Sequence, residues 1–176
     1  MKIIGIIPAR MSSSRFPGKP LAKIYGMPMI GHCYKRTNMS SLLNECYVAT
    51  PDQEIYEYIE SIGGKVVMTS HDHEMCNDRV VEAVNIIEKD KQIIFDIVVN
   101  IQGDLPVIFP DMVDELIRPI IECDNVRTTT MVDEVKTLED FLDPNRVKVV
   151  IDVNNNAILL TREPVPSRRK FNGDYK

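Results

Sequence analysis

The chain has 176 residues, of which 44% are hydrophobic and 27% charged, enough for one domain with a sizeable core and ordinary for a soluble globular protein. A formal net charge of −5 argues against nucleic acid or an anionic membrane as the main partner, and no apolar run approaches the length of a membrane span. Met1 leads straight into an apolar segment with no signal-peptide pattern, so a cytoplasmic protein is expected.

The first element is an apolar, β-branched run, Ile3–Ile7, which predicts a buried strand. It empties at Pro8 into a segment, Arg10 to Lys19, that Pro17-Gly18 keeps out of regular structure. A helix is predicted from Pro28 to about Arg36, with Met29, Ile30, Cys33 and Tyr34 on one face. Tyr47–Ala49 follows as a short strand. Thr50-Pro51-Asp52-Gln53 then has the form of a capping box, Thr50 capping and Gln53 reaching back, for a helix that runs to Gly63-Gly64. Lys65–Met68 is a third strand. A polar loop leads from it to a helix beginning at Arg79, with Asn77 or Asp78 as its cap. Asp96–Ile101 is a fourth strand, and Pro110-Asp111 opens a helix with Met112, Leu116, Ile117, Ile120 and Ile121 facing inward. Thr128–Met131 is a further predicted strand. Val147–Val153 and Ala157–Thr161 flank Asn154-Asn155-Asn156 as a hairpin, and Pro164–Lys176 is expected to be irregular or frayed. Strands alternating with helices at this rhythm define an α/β fold with a mostly parallel sheet covered on both faces. No internal repeat or linker interrupts it, so a single domain over residues 1–176 is expected.

In a parallel sheet the strand ends share one edge, where ligands bind. Here that edge collects the Arg10–Lys19 segment, Thr50, Asp78-Arg79 and Gln102-Gly103-Asp104. Serine hydroxyls, backbone N–H groups and guanidinium forks suit a polyphosphate, and a carboxylate opposite them suits its Mg²⁺. From Met1 to Asn44 there are seven Lys/Arg residues and no Asp or Glu, which favours an anionic ligand over a plain basic surface loop. For Asp104 a turn carboxylate after Gly103 stays as the alternative. The loop is not a Walker motif, since Pro20 stands where Ser or Thr would hold the metal, and no G-x-G-x-x-G occurs. The scattered Cys33, Cys46, Cys76 and Cys123 form no C-x-x-C pair and are expected as reduced thiols. His71-x-His73-x-x-Cys76 matches no usual zinc spacing.

The motifs Ile7-Pro8-Ala9-Arg10, Ser13 through Leu21 (SSRFPGKPL) and Gly26-Met27-Pro28-Met29-Ile30 resemble the opening of the 3-deoxy-manno-octulosonate (Kdo) cytidylyltransferases, or CMP-Kdo synthetases. The likeness continues through Val48-Ala49-Thr50, Val66–Ser70, Asp78-Arg79, Val98–Asp104, Asn145–Val150 and Arg162–Pro166. The resemblance implies a Rossmann-like α/β fold of the nucleotide-diphospho-sugar transferase type. It implies transfer of CMP from CTP to an acidic sugar, Kdo, with release of pyrophosphate and dependence on Mg²⁺, in the synthesis of lipopolysaccharide or other surface-polysaccharide precursors. It further implies that Arg10, Ser13, Ser14, Arg15 and Lys19 hold the triphosphate, Arg10 and Lys19 stabilising the leaving pyrophosphate. Asp104 would bind the metal. Ala9, Thr50, Asp78, Arg79, Gln102 and Gly103 would lie near the nucleotide.

Three departures qualify this. Met75-Cys76-Asn77 replaces the Ser-Gly-Thr that the family places before Asp-Arg, and Leu105 replaces a Glu after Gly103-Asp104. Family members also run on beyond the point matched by Lys176, so a C-terminally shortened chain is expected, without much of the sugar pocket, a further metal-binding Asp and much of the homodimer contact. Such a chain should bind CTP but turn over little or no sugar. Two other readings remain: a nucleotidyltransferase of the spore-coat-polysaccharide type, and a nucleotide-binding fragment without turnover.

Overall fold

The computed structural model describes residues 1–12 and 16–165; the expectations for Ser13, Ser14, Arg15 and the tail from Pro166 lie outside them. The chain divides after Thr129 into two compact units.

In the first unit, β1 (Ile3–Pro8) is the central strand. Its pleat sends alternate side chains to opposite faces, so Ile3 and Ile7 enter one hydrophobic cluster while Ile4 and Ile6 enter another. A 3₁₀ turn (Lys19–Leu21) follows. Next comes a small antiparallel pair, β2 (Lys23–Ile24) and β3 (Met27–Pro28). Tyr25 and Gly26 turn this pair at φ 48° and 85°. Two-residue strands carry no readable periodicity, and the sequence analysis did not anticipate them. Then come α1 (Met29–Thr37), β4 (Glu45–Thr50), α2 (Gln53–Ser61), β5 (Val66–Met68), α3 (Cys76–Lys91), β6 (Ile97–Asn100) and α4 (Pro110–Glu122).

The main sheet is parallel, in the order β5-β4-β1-β6. Residues of α1, α2 and α4 pack on the face of Ile3 and Ile7; Val80, Ala83, Val84 and Ile87 of α3 pack on the other. The chain thus winds outward from β1 through β4 to β5, then crosses back to β6 on the other side of β1. The crossing creates a crevice at the carboxyl ends of β1 and β6.

The predicted Rossmann-like parallel sheet with two covered faces is therefore observed. Several local expectations are corrected. Thr50 does not cap α2: its Oγ1 accepts a bond from Asp52 N at 3.1 Å, and Asp52 is the N-cap residue, without a side-chain cap bond. The Asp52 carboxylate is diverted to Met11 N at 2.7 Å, and Gln53 bonds Glu57 instead of reaching back. The third long helix starts at Cys76, not Arg79, because Asn77 accepts from Asn100 Nδ2 at 2.8 Å and is not available as a cap. On α4 Leu116, Ile117 and Ile120 pack on the core as expected, but the buried face holds Val113, Asp114 and Ile117, and Met112 and Ile121 are about 40% exposed. The rotation follows from Asp114. Its carboxylate accepts bonds from Ser40 Oγ, Ser41 N, Ser41 Oγ and Leu42 N, which makes burial of a charge tolerable. Thr128–Met131 is not a strand; Thr129 Oγ1 donates to Leu116 O at 2.6 Å, tying that stretch to α4.

The second unit holds α5 (Leu138–Leu142), unforeseen and capped by Thr137, and the hairpin of β7 (Lys148–Ile151) and β8 (Ala157–Thr161). The asparagine turn is as expected: Asn155 takes φ 63°, and Asp152 Oδ1 accepts from Asn154 N and Asn156 N. Among the described residues no helix is long and apolar enough to cross a membrane.

Candidate active site

The crevice between β1 and β6 opens as a cavity of about 680 Å³. Its floor comes from the strand ends: Pro8, Ala9 and Arg10 beyond β1, and Gln102, Gly103 and Asp104 beyond β6. The two ends approach so closely that a Cβ on Gly103 would stand 2.6 Å from Pro8 O, so only glycine fits there. Gly18 takes φ 74° and turns the loop so that Lys19 opens the 3₁₀ turn. From there Lys19 Nζ reaches Asp104 Oδ2 at 2.8 Å. The first strand's cation and the last strand's carboxylate meet at the switch point, both partly exposed.

The opposite wall is His73, Glu74, Met75 and Cys76, leading into α3. Arg79, in the first turn of that helix, lines the same cavity and is 2% exposed. Its Nη1 donates to Thr69 Oγ1 at 2.5 Å and to Ser70 O at 2.9 Å, while its Nη2 is buried with no hydrogen-bond partner among the described residues. Burial, then the nearby Arg10 charge, lower the Arg79 pKa, although a guanidinium still keeps its proton. Arg10 Nη1 spans to His73 O at 3.4 Å. Two guanidinium groups close enough to repel, one of them buried and short of an acceptor among the described residues, form a cationic pole that an anion would satisfy.

Of the residues singled out from sequence, the cavity brings together Ala9, Arg10, Lys19, Arg79, Gln102, Gly103 and Asp104. Thr50 is fully buried behind the edge. Asp78 is exposed and borders a separate shallow recess with His73, Val81 and Glu82. Ser13, Ser14 and Arg15 lie outside the described residues. The sequence analysis gave no role to Asp52, whose bond to Met11 N pins the start of the basic loop, or to Glu74. It noted His73 only in a spacing that fits no zinc site, and Met75-Cys76 only as a departure from the family motif; the structure places all of them except Asp52 on the cavity wall. For Asp52 and Glu74, composition alone gave no signal. Cys76 Sγ lies 3.9 Å from both Asn100 Nδ2 and Gln102 Nε2. His73 Nε2 meets Glu82 Oε2 at 2.6 Å, and among the described residues no three His, Cys, Asp or Glu groups cluster as a metal site. All four cysteines are free thiols; burial pushes Cys33 up to about 11 and Cys46 up to about 12.

Cations, a carboxylate and close-approaching backbone at the switch point of a parallel sheet suit phosphate chemistry. A sequence model of the family described as "Cytidylyltransferase" matches residues 4–176. The 3-deoxy-manno-octulosonate cytidylyltransferase of Geobacter metallireducens is 45% identical over all 176 residues, which cover 67% of its length. That of Geobacter sulfurreducens is 46% identical, with 68% of its length covered. Among solved structures, a CMP:2-keto-3-deoxy-manno-octonic acid synthetase complexed with CTP superposes with a TM-score of 0.79 at 32% identity. The match takes in 97% of this chain and 68% of that one. The chain belongs to the cytidylyltransferase family, among the 3-deoxy-manno-octulosonate cytidylyltransferases, and spans about two thirds of the length of the relatives it matches.

Proposed function

We propose that the switch-point cavity binds CTP with Mg²⁺ and that the protein transfers CMP to the hydroxyl of an acidic sugar, Kdo, releasing pyrophosphate. The observation that carries this reading is the pairing of Lys19 with Asp104 beside Arg10 and Arg79, a cationic pole and a carboxylate in one cavity. Relatives named for this reaction, and a neighbour complexed with CTP, support the choice of nucleotide and sugar. A CTP-dependent step of precursor synthesis is consistent with a cytoplasmic enzyme, and the resemblance supports a homodimer, although much of the family's dimer contact lies beyond the part of the family matched here.

The residues fit the metal. Mg²⁺ takes one or two protein carboxylates and completes its shell with phosphates and water, which is what Asp104 at the cavity floor can offer. Asp104 would hold it. Bound there with the triphosphate, the ion would neutralise charge on the phosphate oxygens. Arg10 and Lys19 would grip the β- and γ-phosphates and stabilise the negative charge that develops on the departing pyrophosphate. The sugar hydroxyl oxygen would form the new bond to the α-phosphorus as the bond to the bridging oxygen breaks. Its proton passes to solvent. Gln102, Gly103 and Ala9, on close-packed strand ends, would fix the nucleotide so that attack is in line.

Pyrophosphate release tests this. With CTP, Mg²⁺ and Kdo together, release above the rate without Kdo is expected, and UTP or ATP in place of CTP should give little. CTP binding without any Kdo-dependent release would leave a nucleotide-binding module and sink the transferase reading.

A further inference from the structure

Glu82 stands on α3, two turns in, outside the cavity that Arg79 lines. One of its oxygens, Oε2, accepts two bonds: from Ser70 N at 2.9 Å and from His73 Nε2 at 2.6 Å. One turn earlier, Arg79 holds Thr69 Oγ1 and Ser70 O. Two successive turns of one helix therefore clamp the segment from Thr69 to His73. That segment continues into Glu74, Met75 and Cys76, the cavity wall opposite the basic loop. At its bend the His73 carbonyl accepts from Arg10 Nη1. Ser70 Oγ bonds Asp72 Oδ2 at 3.0 Å within the segment, a local turn that cannot by itself tie it to the helix.

We infer that Glu82 is a positioning residue for nucleotide binding: through Ser70 N and His73 it fixes the wall segment, and through the His73 carbonyl it sets where the Arg10 guanidinium sits. The inference rests on the proposed CTP site. A long arginine loses rotamer entropy when it grips a phosphate, and a fixed acceptor beforehand removes part of that cost. Without Glu82 the segment stays held at Thr69 and Ser70, by Arg79 and by Thr50 O, but its His73 end is released and Arg10 loses its aim. Because both bonds converge on one oxygen, the amide oxygen of Gln can replace the carboxylate oxygen in both. Alanine replaces neither.

The test is isothermal titration with CTP, with and without Mg²⁺, on the wild type, Glu82→Ala, Glu82→Gln, Arg10→Ala and the Glu82→Ala/Arg10→Ala pair, with thermal melts of each. Glu82→Ala should weaken CTP binding about tenfold, the scale on which supporting contacts act, and Glu82→Gln should restore most of it. In the Arg10→Ala background the alanine change should cost less than about twofold, because the residue it positions is gone. Additive losses, or wild-type affinity in Glu82→Ala, would overturn the inference. Should Glu82→Ala fail to fold, His73→Ala, which removes one of the two bonds, must show the same non-additivity with Arg10→Ala or the proposal falls. A wild type that binds no CTP at all would refute the nucleotide reading itself, and this inference with it.

Discussion

Lys19 and Asp104 neutralise each other at 2.8 Å, although their proposed roles send one to a phosphate and the other to a metal. Each role requires the pair to open. Metal-free CTP must therefore draw Lys19 away from Asp104, whereas CTP arriving with Mg²⁺ gives both side chains a new partner at once. The side chains are 37% and 53% exposed, so solvent screens the pair and its worth is under about 1 kcal/mol. Asp104→Asn should therefore strengthen metal-free CTP binding about two- to five-fold and abolish the gain that Mg²⁺ gives the wild type. Simple relief of repulsion between Asp104 and the triphosphate would raise affinity too. A double-mutant cycle separates them: in a Lys19→Ala background the Asp104→Asn gain should vanish if the ion pair is its source. A gain of equal size in both backgrounds would show that the pair restrains nothing. At this scale the sequence told much: acid-free residues 1–44 and Gln-Gly-Asp after an apolar strand pointed to Lys19 and Asp104 correctly as neighbours. It could not tell that they pair, nor that Asp52 and Glu82 hold the loop and the wall, because those bonds join residues 41 and 12 positions apart.

At the scale of elements, the amino ends of the strands are tied by a cluster remote in sequence from the cavity loops. Glu45 opens β4 and accepts from Lys91 at the end of α3, from Lys65 just before β5, and from Tyr47. Burial alone would raise its pKa, but the bonds to Lys91, Lys65 and Tyr47 outweigh it and bring the carboxyl down to about 2. A folded-state pKa below the unfolded value of about 4.3 gives stability that is present above pH 4.3 and lost as pH falls toward 2. With the carboxylate 16% exposed, that contribution is on the order of 2 kcal/mol at neutral pH. Glu45→Gln should lower the melting temperature at pH 7 by several degrees and leave it near the wild type at pH 2.5, as followed by circular dichroism. A constant difference between the two proteins across that range would rule the cluster out as a source of acid sensitivity. The same reasoning explains which elements were legible. β1 and β6 are apolar runs with one outcome, and they were found within a residue of their ends. The start of α2 was misjudged because Thr-Pro-Asp-Gln has the composition of a capping box, while Met11, 41 residues earlier, claims the Asp52 side chain. The face of α4 was placed correctly at Leu116, Ile117 and Ile120 but not at Met112 and Ile121, because a buried aspartate is invisible to hydrophobic periodicity unless its four donors in residues 40–42 are known.

At the scale of the whole molecule, the hydrophobic core lies entirely in the first unit: every buried apolar side chain among the described residues falls between Ile3 and Ile117. From residue 130 to 165 the buried side chain is Lys148, whose Nζ donates to the carbonyls of Asp143, Arg146 and Arg162. That unit is held by backbone ladder, by Arg146–Asp140 at 3.0 Å, and by Arg162 on the carbonyls of Pro144 and Asn145. Its strands expose apolar groups, Ile158 at 67% and Leu160 at 60%. Polar bonds of this kind are each worth about 1 kcal/mol and compete with water, whereas burial of a full isoleucine contributes about 2 kcal/mol and does not. A hairpin with no buried apolar face is at best marginally stable in water, so the second unit should open locally at a small fraction of the free energy needed to unfold the first. Hydrogen exchange read by mass spectrometry is expected to show peptides over β7 and β8 exchanging on the order of 10²-fold or more faster than peptides over β1 and β4. Lys148→Met keeps the length and apolar stem of the side chain but removes three donors. It should speed exchange in the hairpin further and leave β1 unchanged, because the second unit does not supply the core of the first. Protection over β7 and β8 equal to that over β1 would mean that the hairpin's apolar faces are covered in solution, and the marginal-stability argument would fail at its premise of exposure.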